Sequence, residues 1–103
     1  MKSQRASVKE ATTERELYRA MLTLSSSDEL RAFFHDLCTP AEVQALSDRW
    51  AVVKLLQRDL SYREIHARTG VSLTTIGRVA RSLTNGEGGY ATAATRLKEA
   101  RHG

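Results

Sequence analysis

Apolar residues recur at helical spacing along most of the chain, and polar breaks separate one run from the next. The first run follows Thr12 and Thr13, either of which can cap a helix. Residues 1–11 are polar and charged without an apolar period, so we expect a flexible tail there. A second run follows the polar break at residues 25–28. The sequence therefore predicts two helices here, with Leu17, Met21, Leu22 and Leu24 in the first and Leu30, Phe33, Phe34 and Leu37 in the second.

The third run opens with a strong helix-start signal. The Thr39 hydroxyl can accept from the Glu42 amide, and Pro40 suits the first helical position. The run ends near Arg58 and Asp59. Its apolar residues cover more than one face of a helix, namely Val43, Ala45, Leu46, Trp50, Val52, Val53, Leu55 and Leu56. One small domain can hardly bury such a helix on several sides, so we expect burial between two copies of the chain.

Three shorter helices are predicted next. Ser61 opens the fourth with a capping box, and Gly70 ends it. Ser72 can cap the fifth, and the glycine-rich break at residues 85–89 separates it from the last. No alternating run is long enough for a strand. The expected fold is therefore all-α, with about six helices in a single domain over residues 12–100.

The turn between the fourth and fifth helices is so short that they must cross steeply, as in a helix-turn-helix over about residues 62–81. Gly70 can take the positive φ that this turn requires. Apolar side chains stand where such a unit needs them to hold its helices together: Ile65, Val71, Ile76 and Val79. His66 stands where a small residue is common, so we expect it to lean outward, toward solvent or DNA. These features coincide in one segment, which favours DNA binding over a helix pair that only builds a core.

The start of the fifth helix would enter the major groove, where hydroxyls can bond base edges or phosphates and methyl groups can meet thymine methyls. We therefore expect sequence readout by Ser72, Leu73, Thr74 and Thr75. Tyr62 and Arg63 lie at the positive end of the fourth helix and should set docking on phosphate, although Arg63 could instead reach a guanine edge. His66 and Arg78 are further candidate DNA contacts.

Charge supports the same segment. The chain has 103 residues, a formal net charge of +4 and a pI near 9.6, a mild excess that suits a polyanionic partner without requiring one. The basic residues concentrate around the motif, at Arg49, Lys54, Arg58, Arg63, Arg68, Arg78 and Arg81, with Asp48, Asp59 and Glu64 nearby. The modest total argues against sequence-blind coating of the chromosome at physiological salt.

Other function classes lack the residues they need. No nucleophile with a base, carboxylate pair or metal cluster assembles along the sequence, so we expect no enzyme and no metal. His35 and Cys38 are a helical turn apart but make no closed metal site, and Cys38 is expected to be a buried structural thiol. Lys2 and Arg5 precede polar residues, and the longest apolar stretch is too short to span a bilayer. We expect a cytoplasmic protein without a membrane segment.

A further pattern extends along the chain, in Asp36-Leu37-Cys38-Thr39, Glu42-Val43-Gln44-Ala45-Leu46, Arg49, Thr69-Gly70-Val71-Ser72, Thr75-Ile76, Arg78-Val79 and Gly89-Tyr90. In these residues the chain resembles the Trp repressor superfamily, specifically its YerC/YecD-like branch, over about residues 15–98. The resemblance implies a transcriptional regulator, by analogy a repressor. It also implies an intertwined homodimer whose first three helices and last helix interlock and whose recognition helices meet successive major grooves.

The resemblance also implies a place for a small-molecule corepressor. In the Trp repressor the tryptophan lies between two arginines, whose positions match Arg49 and Arg78 here, and Thr39 and Ser82 match other pocket positions. Three positions depart from the pattern and add bulk and an acidic group beside the indole site: Asp36, Cys38 and Val79. These departures argue against tryptophan and leave the effector open. For the two arginines we favour a plainer interpretation, as salt-bridge partners of Asp36 or Asp48 or as phosphate contacts.

Two interpretations from different classes remain. The favoured one is a homodimeric, sequence-specific regulator that docks a helix-turn-helix in the major groove of double-stranded DNA, with no bound cofactor required. The alternative is a helical protein-interaction module whose apolar helices bind a different partner and which lacks specific DNA binding. Sequence-selective, salt-sensitive DNA binding by a dimer separates the two.

Overall fold

The computed structural model describes residues 4–102, with the side chains of residues 9–101. Within this range the chain forms six α-helices and no strand: α1 (Gln4–Leu22), α2 (Ser27–Leu37), α3 (Pro40–Leu56), α4 (Tyr62–Thr69), α5 (Leu73–Asn85) and α6 (Gly89–His102). The predicted all-α fold and the number of helices are confirmed. No helix in this range is long and apolar enough to cross a membrane.

Helix α1 begins earlier than the sequence predicts. Residues 1–3 lie outside the described range, but the rest of the predicted tail is helical from Gln4 onward. Thr13, a predicted cap, lies inside the helix, where its Oγ1 donates to the carbonyl oxygen of Lys9 at 2.9 Å. A helix extends through polar residues once it is nucleated, because each added residue gains a backbone hydrogen bond. The apolar period marked where α1 can pack and not where it starts.

The start of α2 matches the predicted polar break. Ser26 caps the helix, since its Oγ accepts from the backbone amide of Glu29 at 3.1 Å. The carboxylate of Glu29 in turn accepts from the backbone amide and the hydroxyl of Ser25, at 2.8 and 3.1 Å. These two bonds, the backbone bond above all, lower the pKa of Glu29 below its ordinary value. Helix α3 begins at Pro40, as predicted.

The helices fall into two compact units, α1 with α2 and α3 to α6. In the first unit no described side chain is buried, although α2 carries several apolar residues and the Phe33 and Phe34 rings lie 5.9 Å apart, edge to face. Leu22 is 84% exposed and Leu37 52%. Two helices are too few to enclose a core, so this unit leaves apolar surface in contact with water in a single chain.

The second unit contains the buried hydrophobic core. Its members come from α3, α4, α5 and the turn between the last two: Val52, Val53, Ile65, Val71, Ile76 and Val79. Half-buried residues pack around them, namely Trp50, Leu55, Leu56, Leu60, Leu83 and Tyr90. The α4–α5 pair thus packs against the second half of α3. The first half of α3 stays open in a single chain, where Leu46 is 45% exposed, so burial of α3 on several sides is not reached within one chain.

Candidate nucleic-acid interface

A three-residue turn, Gly70 to Ser72, joins α4 to α5. Gly70 has φ 74° and ψ −1°, the left-handed conformation, and its amide donates to the carbonyl of His66 at 2.8 Å. A β-carbon on Gly70 would meet no atom within 4 Å, so glycine is favoured here by backbone conformation and not by space. The positive φ predicted for this turn is confirmed.

Thr69 closes the turn through its hydroxyl, a role that the sequence analysis missed. Its Oγ1 donates to the carbonyl of Ile65 at 2.7 Å and accepts from the amide of Val71 at 3.1 Å. Val71 is 8% exposed, so its amide would otherwise have little access to water. The available signal was a hydroxyl residue directly before the capping glycine, since such side chains bond to nearby backbone groups.

His66 also contacts the turn. Its Nδ1 lies 2.7 Å from the carbonyl oxygen of Val71, and because a carbonyl only accepts, Nδ1 carries the proton. The side chain is exposed, as expected, but it does not simply lean away from the protein. Nδ1 is engaged with the backbone, and Nε2 is the ring nitrogen through which His66 would meet DNA.

The four apolar residues predicted to hold the two helices together do so. Ile65 and Ile76 are fully buried, Val79 is 2% exposed and Val71 8%. They also pack with Val52 and Val53 in one cluster, which joins the helix pair to α3. The position of α5 is therefore fixed from two sides, by α4 and by the helix beneath it.

The four residues expected to read DNA sequence at the start of α5 are of two kinds. Ser72 is the N-cap: its Oγ accepts from the amide of Thr75 at 3.1 Å and donates to Oγ1 of Thr75 at 3.0 Å. Thr75 is half-buried. Leu73, at 51% exposure, and Thr74 face solvent. The structure thus leaves Leu73 and Thr74 free of capping bonds at the exposed end of the helix.

The start of α4 carries exposed side chains at its positive end. Ser61 caps the helix, with its Oγ accepting from the amide of Glu64 at 3.2 Å. Tyr62 is 44% exposed and Arg63 is exposed. Within the described part of the second unit, no ion pair occupies Arg63 or the exposed Arg78 of α5. Their guanidinium groups keep all their donors for an anion.

The arginines suggested as a ligand clamp lie on different helices. Arg49 is half-buried on α3, whereas Arg78 and Ser82 are exposed on α5, and Thr39 directly precedes α3. No ion pair joins Arg49 to Asp48, contrary to one expectation. The carboxylate of Asp48 instead accepts from Nε2 of Gln44 at 2.8 Å, because the two are one helical turn apart on α3.

A concave surface, separate from the α4–turn–α5 unit, lies between α3 and α6. Trp50 and Tyr90 meet there with ring centroids 6.5 Å apart, and the open groove beside Trp50 measures about 340 Å³. Its apolar lining includes Ala94 and Leu97, and its basic lining consists of Lys54, Arg58, Lys98 and Arg101. Trp50 thus packs against the core and also lines the groove. Among the side chains that the structure describes, no three His, Cys, Asp or Glu side chains gather in a way that could hold a metal ion.

Comparison with known families and proteins gives one consistent result. The family model described as Trp repressor protein matches residues 13–98 of this chain. The uncharacterised protein YerC of Bacillus subtilis (strain 168) is 39% identical over 84 residues, which cover 82% of this chain and 81% of YerC.

Solved structures agree with this match. The crystal structure of a TrpR-like protein from Eubacterium eligens ATCC 27750 is 40% identical, covers 84% of this chain and 90% of its own, and superposes with a TM-score of 0.81. A Staphylococcus aureus protein proposed to be a Trp repressor is 37% identical, covers 94% of this chain and 96% of its own, and also has a TM-score of 0.81. The arrangement of helices is therefore one that these relatives share.

Proposed function

Because the chain belongs to the Trp repressor family, we propose that it is a sequence-specific DNA-binding transcriptional regulator, acting as a homodimer and, by analogy with the family, as a repressor. The observation that carries the proposal is the α4–turn–α5 unit. Its turn is closed by Gly70, its interior is apolar, and the start of α5 projects exposed side chains away from the core. Fold alone would not be sufficient, since folds host many functions, but this unit has the parts that DNA docking uses.

Sequence readout is assigned chiefly to Leu73 and Thr74. Leu73 offers an apolar surface for a thymine methyl, and the Thr74 hydroxyl and methyl can each meet a base edge. The Ser72 hydroxyl donates to that of Thr75 in the cap, so their expected part is to fix the helix start. Contacts to DNA are then made by the hydroxyl hydrogen of Thr75 and the remaining lone pairs. A fixed helix start places Leu73 and Thr74 in a defined position for readout.

Phosphate contacts are assigned to the residues around this helix start. Tyr62 and Arg63 lie where the α4 amides and the helix dipole favour an anion. Because Nδ1 of His66 carries the proton, its Nε2 can only accept, and it would meet an amino group on a base edge and not a phosphate. The guanidinium of Arg78 supplies further phosphate donors on an exposed side chain. Such contacts set the register of α5 on the duplex without reading its sequence.

Dimerisation is supported by apolar surface that a single chain leaves uncovered. The first unit has no buried side chain among those described, and Leu22, Leu37 and Leu46 are largely exposed. The family resemblance implies that α1, α2, α3 and α6 interlock with a second copy of the chain. Such a copy would cover the three exposed leucines. Two-fold symmetry would then place two recognition helices about 34 Å apart on one face of a palindromic operator.

An effector site is proposed only as a secondary feature, around Arg49, Arg78 and Ser82 of the second unit. Tryptophan remains disfavoured as its ligand. Val79, which stands where the Trp repressor has glycine, is 2% exposed and belongs to the core, so its bulk is fixed in place. Testing a panel of amino acids against operator affinity is the direct experiment.

The first test is selection from a random duplex library with purified protein, together with the mass of the free protein in solution. One enriched palindromic motif and a dimer mass are the expected results. No enrichment and binding that disappears at moderate salt would first indicate a ligand-dependent aporepressor, so the selection is repeated with added amino acids. A monomer, or the same failure with the amino acids present, would contradict the proposal. It would then favour a helical protein-interaction module, whose apolar helices bind a different partner.

Matched variants then test the assignment of roles. Thr74→Ala should relax base preference at one operator position, with a loss of roughly 1–3 kcal/mol in discrimination. Thr92→Ala, a change of the same size at an exposed threonine of α6, is the control and should bind as the parent does. Replacing thymine by uracil in the operator removes only the methyl group. The parent should lose affinity at one such position, and Leu73→Ala should abolish that loss.

A further inference from the structure

Gly77 lies in the middle of α5, where glycine costs about 1 kcal/mol of helix stability relative to alanine. Packing does not explain it. A β-carbon at Gly77 would lie 3.6 Å from Nη1 of Arg81 and 3.9 Å from Cε2 of Tyr62, which are ordinary van der Waals distances to side-chain atoms. An alanine would fit within the chain. The bare position therefore leaves space for one added group beside the side chains of Arg81 and Tyr62.

Arg81 reaches back over this bare position. It lies one helical turn after Gly77, and long side chains on a helix point toward its N-terminus. Nη1 and the ring of Tyr62, which belongs to the first turn of α4, consequently both lie within 4 Å of the point where a β-carbon of Gly77 would be. Arg81 is exposed, and none of the described residues takes its donors in an ion pair or hydrogen bond. A positive charge whose donors are all available thus lies close to Gly77 and to the start of α4.

Arg81 also shares a face of α5 with the residue assigned to base readout. Thr74, Gly77 and Arg81 follow one another at spacings of three and four residues, which align them on one side of the helix. The buried residues Ile76 and Val79 define the other side. A duplex that meets Thr74 therefore meets Gly77 and Arg81 next along the same helix.

We propose that Arg81 binds a DNA phosphate in the space left by Gly77, near the ring of Tyr62. The inference rests on the proposed DNA-binding function and adds a contact to it. A guanidinium presents paired donors that match two phosphate oxygens, and a close approach to the α5 backbone brings the phosphate within their reach. The contact carries no sequence information, so it strengthens binding to every duplex equally.

The test compares Arg81→Gln with Arg96→Gln, which removes the same charge from an exposed position on α6. Affinity for the selected operator and for an unrelated duplex is measured across a salt series. Arg81→Gln should reduce the slope of log affinity against log salt by about 0.9, the value for one phosphate, and weaken both complexes about tenfold. Arg96→Gln should keep the slope of the parent. Equal slopes for the two variants would overturn the proposal.

Two more variants separate this contact from the fold and from the proposed function. Arg81→Lys keeps the charge but loses the paired donors, so it should retain the slope and lose part of the affinity. Gly77→Ala should raise the urea midpoint and yet weaken binding to both duplexes. If Gly77→Ala binds as the parent does, the space is not used and the proposal fails. If Arg81→Gln keeps the salt slope of the parent while Thr74→Ala still relaxes base preference, only this inference is rejected. A parent protein that binds no DNA rejects both this inference and the proposed function.

Discussion

Replacing Thr69 by valine tests whether its hydroxyl holds the turn. Valine keeps the shape and nearly the helix propensity of threonine, but it removes the bonds from Thr69 Oγ1 to the Ile65 carbonyl and from the Val71 amide to Thr69 Oγ1. A lost hydrogen bond costs about 0.5–1.5 kcal/mol, and a buried amide left without a partner about 1–3 kcal/mol. The Val71 amide belongs to an 8% exposed residue, so we expect the larger cost there. The free energy of unfolding should fall by about 2–3 kcal/mol.

Urea unfolding followed by circular dichroism measures this change, at one fixed chain concentration because association would move the midpoint. Thr69→Ser is the matched control, since serine keeps the hydroxyl and loses only a methyl group. It should retain most of the stability that Thr69→Val loses. A valine variant as stable as the parent would refute the reasoning. Equal losses in the valine and serine variants would do the same, because they would assign the effect to the methyl group.

Three further substitutions test other parts of the fold. Gly86→Ala should lower the free energy of unfolding by about 2–3 kcal/mol, because a β-carbon there would lie 2.3 Å from the carbonyl oxygen of Ser82, and urea unfolding measures it. Gly70→Ala should lose only about 1–2 kcal/mol in the same assay, since its left-handed conformation is strained for alanine but nothing blocks the added atom; a larger loss than that of Gly86→Ala would contradict this order. Glu29→Gln should flatten the acid dependence of stability. The bonds from Ser25 lower the pKa of Glu29, so its stabilisation is complete above the ordinary value of 4.5 and is lost as pH falls through the lowered pKa; a parent and variant with the same pH profile would contradict this.

The starts of α3, α4 and α5 could be predicted from local signals, whereas the cap predicted at Thr12 or Thr13 was wrong, because both residues lie inside α1. Ser61 and Ser72 each marked a cap, because the bond that a hydroxyl accepts from the amide three residues on is local and independent of the rest of the fold. Pro40 marked the first residue of α3, because its fixed φ suits that position. The start of α1 at Gln4 could not be predicted in the same way. Polar helix formers can continue a helix without any apolar residue, so no periodicity marks the boundary.

The apolar part of the site was also predictable, whereas the roles of individual polar residues were not. Ile65 and Ile76 follow helical spacing, and apolar residues at that spacing are usually buried. His66 bonds to the carbonyl of Val71 and Thr69 to its amide, and both groups lie beyond the left-handed Gly70. Their partners are fixed by three-dimensional geometry, and residue type alone indicated only that they could form hydrogen bonds. Ser72 and Thr75 likewise were expected on DNA and are joined to each other.

The uncovered first unit has a consequence for the amount of folded protein in the cell. If α1 and α2 gain their cover only from a second copy, as in the proposed dimer, folding and association are one equilibrium. The folded fraction then rises with total chain concentration. Newly made chains at low concentration would expose their N-terminal helices to proteases, while chains above the dissociation constant would be protected. Such a regulator would set a lower limit on its own active concentration without any ligand.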